Sequence, residues 1–324
     1  MFSLRARMLI LVAILFSILY GIATLIMYYL GIRGFLPQVF LAFGMILLQY
    51  LIGPKMVELS MRVKYVNKEE APWLFEIVED LARRANIPMP RIGIAHISVP
   101  NAFAFGRSLK DGRVCVTKGI MDLLDKDELR AVLGHEMTHL KSRDVLFITL
   151  LSVIPLILYY IFYHFSFYGY SRRRDSGGSA ALIGVAAFVF YFITNLLVLY
   201  ASRIREYFAD KGSLDLGNSP SVMATALYKL VYGAAKLPKE NLREVEGVKA
   251  FFLNDLSRAK NEISDLAQLD LDRTGTLDPY ELRSLAQKKI NLSFADKAME
   301  ILSTHPNMLK RIKQLSEYNK GQNS

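Results

Sequence analysis

One cysteine, Cys115, stands among 324 residues. An internal disulfide is excluded, and a reducing compartment is permitted. Charge is missing from four long stretches, between Arg7 and Arg33, Arg33 and Lys55, Asp144 and Arg172, and Asp175 and Arg203. A helix crossing a bilayer needs about 20 apolar residues, so spans are expected near 8–30, 35–53, 145–167 and 180–200. Small-residue cleavage chemistry is lacking after the first of them, and its apolar run is too long for a removed signal peptide. Internal repeats, low-complexity tracts and a basic-aromatic pattern for single-stranded nucleic acid are lacking too. Apart from His164, the spans carry no ionisable residue, which speaks against a transport pathway.

What is present fits a membrane protein with a folded domain. Hydrophobic residues make up 52% of the chain, and the mean hydropathy is positive. The net charge of +10 suits a basic face turned toward anionic lipid and calls for no nucleic acid. Arg5 and Arg7 precede the first span, and Lys55, Arg62, Lys64 and Lys68 follow the second. The preference of basic residues for the cytoplasmic side puts the N-terminus and residues 54–144 there. Arg172, Arg173 and Arg174 oppose this, because the same topology places their loop outside.

The chain thus divides into a first membrane hairpin (1–53), a first soluble part (54–144), a second hairpin (145–200) and a second soluble part (201–324). In the first soluble part, Trp73, Leu74, Ile77, Val78 and Leu81 recur at helical spacing over 70–86. Ile92 and Ile94 alternate as in a strand. Lys110, Asp111 and Gly112 supply a turn before Val114 and Val116. Asp125, with Glu128 three residues on, has the spacing of a capping box.

The helix that Asp125 opens carries His135, Glu136 and His139 as H-E-x-x-H. Imidazoles at i and i+4 share one helix face and reach one ion, and the glutamate between them points near its open position. Catalytic zinc usually takes three protein ligands. The third candidate is Glu206, followed one turn later by Asp210. Alone, that pair also suits a solvated charged face with Arg203 and Arg205. However, His139 precedes the third span by about six residues, and Glu206 follows the fourth by about six. Each then stands roughly 9 Å beyond the membrane boundary. A membrane hairpin of these two spans would bring the ligands together at one height and hold the site at the bilayer surface. His96 and His164 lie at no ligand spacing.

His135-Glu136-x-x-His139 with Glu206-x-x-Ala209-Asp210 after a membrane hairpin resembles the HtpX family of membrane zinc endopeptidases, gluzincins related to the CAAX prenyl proteases. Pro100 to Ala104 and Ser303-Thr304-His305-Pro306 followed by Arg311 match the same family, although Phe105 replaces a small polar residue. The resemblance implies a mainly α membrane protein with a small β-sheet, a zincin-like catalytic domain fused to about four transmembrane helices. It implies an endopeptidase in the cell membrane whose active site is cytoplasmic. Misfolded or membrane-associated proteins would be its substrates.

The roles are then as follows. His135, His139 and Glu206 ligate zinc. Glu136 is the general base. Asp210 orients a ligand histidine. His305 donates to the tetrahedral oxyanion, supported by Arg311. Asn101, Ala102, Phe103 and Ala104 bind substrate backbone as an added strand, with Arg311 also on the substrate side. Competing readings are a processing protease for a defined substrate, such as a prenylated protein, and a zinc-holding membrane scaffold. Retention of Glu136, which metal binding does not need, speaks against the scaffold.

One further motif lies outside the resemblance. Residues 270–281 fit a twelve-residue EF-hand loop, with oxygen donors at Asp270, Asp272, Thr274, Asp278 and Glu281 and glycine at 275. Calcium is one expectation there. The other is an acidic turn between helices, capped by Asp278.

Overall fold

A computed structural model describes residues 47, 50–163, 177–236, 266, 269–272, 274, 276–288 and 294–321. The span expected near 8–30, most of the one expected near 35–53, and the loop holding His164 and Arg172 to Arg174 lie outside these residues. The chain splits into two compact units, residues 1–53 with 146–204, and residues 54–145 with 205–324.

The second unit carries the sheet. Its strands are β1 (Val63–Tyr65), β2 (Arg91–Ala95), β3 (Ala102–Phe105) and β4 (Arg113–Thr117), in spatial order β1-β2-β4-β3. β1 is antiparallel to β2, β2 parallel to β4, and β3 antiparallel to β4. The β3–β4 hairpin turns where Lys110, Asp111 and Gly112 predict it, through a short 3-10 turn at Leu109–Asp111. β3 is thereby left at an edge of the sheet.

The helix expected over 70–86 is α1 (Pro72–Ala85), with proline in its first turn and Asn86 closing it in the left-handed conformation. Its apolar stripe, Leu74, Val78, Leu81, Ala82 and Ala85, is buried. α2 (Lys118–Leu123) and α3 (Lys126–Lys141) follow. They share one core with β2, β4 and α6 (Pro220–Lys236), built on Ile92, Val114, Val116, Val132, Leu133, Leu227 and Val231. α7 (Pro279–Gln287) and α9 (Met308–Gly321) add Leu282, Leu285, Ile312 and Leu315; α8 (Phe294–Ile301) lies between them in sequence.

In the first unit, α4 (Asp144–Tyr163) and α5 (Gly177–Asp215) pack through Leu151, Ile154, Leu158, Val198 and Ala201. Tyr159 meets Tyr191 and Phe162 meets Phe188, which makes the pair antiparallel. Among the described residues, α5 is the one helix that is by itself long and apolar enough to cross a membrane; α4 passes that test only when joined across its break to α3. The apolar part of α5 exposes Leu182, Val185, Phe188, Val189 and Phe192. A contiguous apolar face of this kind marks a surface that meets a membrane or another protein. Helix α5 then continues without interruption past Arg203 into residues 205–215 of the second unit.

Candidate metal centre

The capping box at the start of α3 sets the phase of everything after it. Asp125 accepts the Glu128 N–H, and Glu128 accepts the Asp125 N–H. The helix turns a buried face that includes Val132, His135 and Glu136 into the domain. Two close approaches hold it against α5. A Cβ on Gly134 would stand 2.5 Å from Asn218 Nδ2 and 2.8 Å from Ser213 Oγ, and one on Gly212 would stand 2.3 Å from Thr138 Cγ2. Ser213 Oγ donates to the Ala131 carbonyl at 2.6 Å.

At that crossing three ligand-type side chains converge. His135 Nε2 and His139 Nε2 are 3.0 Å apart. Glu206 Oε2 lies 3.6 Å from His135 Nε2, and Glu206 Oε1 lies 3.6 Å from His139 Nε2. Two atoms each about 2.0–2.1 Å from a tetrahedral ion stand about 3.3–3.4 Å apart. The observed separations straddle that value. Glu206 Oε2 is also buried without a hydrogen bond, although Arg311 Nη1 pairs with it electrostatically at 3.1 Å. The donors, their spacing and the buried oxygen fit a zinc ion.

Behind each imidazole stands a carboxylate, and behind each carboxylate a guanidinium. His135 Nδ1 meets Asp210 Oδ1 at 2.9 Å. Arg311 forks onto Asp210, with Nε to Oδ2 at 2.9 Å and Nη2 to Oδ1 at 2.6 Å. His139 Nδ1 meets Asp144 Oδ2 at 2.5 Å, and Arg205 pairs with the other Asp144 oxygen. His305 Nε2 stands 3.8 Å from Glu206 Oε1.

Burial and charge set the proton affinities. Burial opposes the charged form of His135, but Asp210 and Glu206 outweigh it and push its pKa up to about 9. At His139, burial and the neighbouring His135 act together and bring the pKa down to about 4. Burial raises Glu136 above its ordinary value, against the pull of His139 and His135. Burial would raise Glu206 too, yet His305, Arg311 and His135 hold it well below the carboxylate range. An arginine this enclosed keeps its charge because Asp210 and Glu206 surround it, and its pKa is raised although burial opposes this.

The expected residues are thus distributed unevenly. His135, Glu136, His139, Glu206, Asp210 and Arg311 gather at one place, with His305 against Glu206. The Ala104 backbone hydrogen-bonds to the Glu136 carboxylate, so edge strand β3 adjoins the prospective base. Asn101 is fully buried, its N–H bonded to Thr117 Oγ1 and its carbonyl to the Thr117 N–H. Phe103 is buried and stacks on Phe105 at 5.8 Å. Arg311, expected on the substrate side, has no exposed surface and braces Asp210 and Glu206. Asp144 and Arg205 are brought to the site without having been expected there.

In the loop at 270–281, residues 270–272, 274 and 276–281 are described. Oxygens of Asp270, Asp272 and Glu281 lie within 4.8 Å of one another. Asp278, offered as a fourth acidic donor, caps α7 by accepting the Glu281 N–H at 2.7 Å. The Thr274 hydroxyl faces Thr276. Glu281 accepts the Leu271 and Asp278 N–H groups. Asp270, Asp272 and Glu281 are close enough to hold an ion together, and Asp278 and Glu281 also serve to close the turn.

Comparison with known proteins agrees with this geometry. Residues 68–319 match the model of peptidase family M48. A protease HtpX homologue of Methanothermobacter thermautotrophicus is 52% identical over 229 residues, covering 71% of this chain and 86% of its own. Another, of Picrophilus torridus, is 32% identical over 313 residues, covering 95% of this chain and 93% of its own. The crystal structure of Ste24p from S. mikatae superposes with a TM-score of 0.50 at 16% identity, covering 94% of this chain and 62% of that one. With a family match extending over most of its length, the chain belongs to peptidase family M48.

Proposed function

We propose that this M48 protease is a zinc-dependent endopeptidase of the cell membrane, cutting misfolded or membrane-associated proteins at the cytoplasmic face. The observation that carries the metal and the reaction is the convergence of His135, His139 and Glu206 beside a buried Glu136 that metal binding does not require. Zinc held there would polarise the scissile carbonyl and acidify water.

The chain's own residues account for the rest. An extended substrate segment lies along edge strand β3, adding to the sheet through residues 102–104. Glu136 takes a proton from the attacking water and passes it to the leaving amine. His305 donates to the oxyanion that develops on the substrate carbonyl. Asp210 and Arg311 are positioning residues, acting through His135 and Glu206 from a place that substrate does not reach.

Orientation rests on the basic residues at both ends of the first hairpin, and substrate class on the apolar helix that would keep the domain beside lipid. The test is casein cleavage by the purified full-length protein with and without chelator, beside Glu136→Gln. Cleavage abolished by chelator, restored by zinc and absent from Glu136→Gln supports the reading. Cleavage indifferent to chelator, or undiminished in Glu136→Gln, refutes it.

A further inference from the structure

His135 and His139 present Nε2 toward the same point, so each needs its proton on Nδ1 and an acceptor to hold it there. For His135 the acceptor is Asp210, one turn beyond Glu206 on α5. For His139 it is Asp144, at 2.5 Å. On a continuous helix the fifth residue beyond His139 would point about 140° away from it. The chain is not continuous there. Helix α3 ends at Lys141, and Arg143 adopts the left-handed conformation at φ 54°, which non-glycine residues adopt in only a few per cent of cases. The break turns Asp144 back onto the imidazole. Arg205, the residue before Glu206, pairs with the second Asp144 oxygen and is itself buried. Neighbouring residues of α5 therefore serve the two sides of one site, Glu206 facing the imidazoles and Arg205 the carboxylate behind one of them.

We infer that Asp144 is a positioning residue for the metal centre, fixing the tautomer and aim of His139, and that Arg205 holds it in place. The inference rests on the zinc reading above. The site is then held by two relays, His135–Asp210–Arg311 and His139–Asp144–Arg205, one closed by Arg311 of α9 and the other by Arg205 of α5. Loss of such a partner typically weakens metal binding about 10–100-fold.

Zinc affinity of the purified full-length protein, measured by competition with a chromogenic chelator, tests this without recourse to activity. Asp144→Asn keeps the shape but removes the charge and allows an amide N–H to face Nδ1, which selects the wrong tautomer. We expect zinc to bind about 10–100-fold more weakly, Asp144→Glu to recover part of the loss, and Arg205→Gln, which spares the His139 bond, to lose less. Wild-type zinc affinity in Asp144→Asn overturns the inference while leaving the zinc reading intact; a wild-type chain that binds no zinc removes both. Should Asp144→Asn not fold, Arg205→Gln decides alone, and an affinity equal to that of wild type overturns the inference.

Discussion

Glu136 separates metal binding from catalysis. Replacing it with glutamine leaves both imidazoles and Glu206 in place, so zinc content should be unchanged while turnover falls about 10²–10⁴-fold, the usual range for a lost general base. Loss of zinc together with activity would instead make Glu136 part of the structure of the site. H-E-x-x-H was legible because helical periodicity alone puts two imidazoles on one face, and Glu206 was legible through its distance from the apolar run. Asp144 was not, because on an unbroken helix it faces elsewhere, and only the left-handed Arg143 delivers it. Arg311 was seen as a residue of interest, but no sequence pattern distinguishes a fully enclosed brace from a surface contact with substrate.

Contacts between helices decide whether those residues meet. Gly212 and Gly134 let α3 and α5 approach until their backbones carry the ligands to one point. Gly212→Ala would drive a methyl into Thr138, a branched side chain with little freedom to move. Overpacking of this kind costs about 1–3 kcal/mol, and here it should also weaken zinc binding. A drop in melting temperature with unchanged zinc affinity would show that the crossing does not set the site.

A second contact depends on pH. Burial alone would raise the Asp80 carboxyl on α1, but hydrogen bonds from Arg130 on α3 and from Arg83 and Arg84 outweigh it and hold its pKa at about 2. The carboxyl is therefore more acidic folded than unfolded. Its contribution to stability is complete above the ordinary aspartate range near 4, and it is lost as pH falls from there through about 2. Asp80→Asn should be less stable than wild type at neutral pH, with the gap closing at acid pH. A gap independent of pH would rule out the charge.

The capping boxes of α3 and α7 are both local enough to be visible as D-x-x-E, and Asp278→Ala should cost about 1 kcal/mol. The same locality explains the resemblance to a calcium loop. Oxygens spaced to bind an ion are also spaced to close a turn.

At the scale of the whole molecule, one helix joins two environments. Helix α5 exposes apolar side chains along its first part and carries Arg205, Glu206 and Asp210 in its last; in the function proposed above, this helix is what ties the protease site to a membrane. The proposed cytoplasmic orientation predicts that a cysteine at Lys68 in a chain lacking Cys115 stays unlabelled by an impermeant thiol reagent in intact cells and reacts after lysis; labelling from outside would reverse the orientation. The central claim is that three side chains from α3 and α5 hold one catalytic zinc. The most direct measurement is the zinc content per chain of purified wild type and Glu206→Ala, with casein cleavage followed on the same samples. One zinc per wild-type chain, lost together with cleavage in Glu206→Ala, is the expected result. A Glu206→Ala protein that keeps its zinc and cleaves casein normally would contradict it.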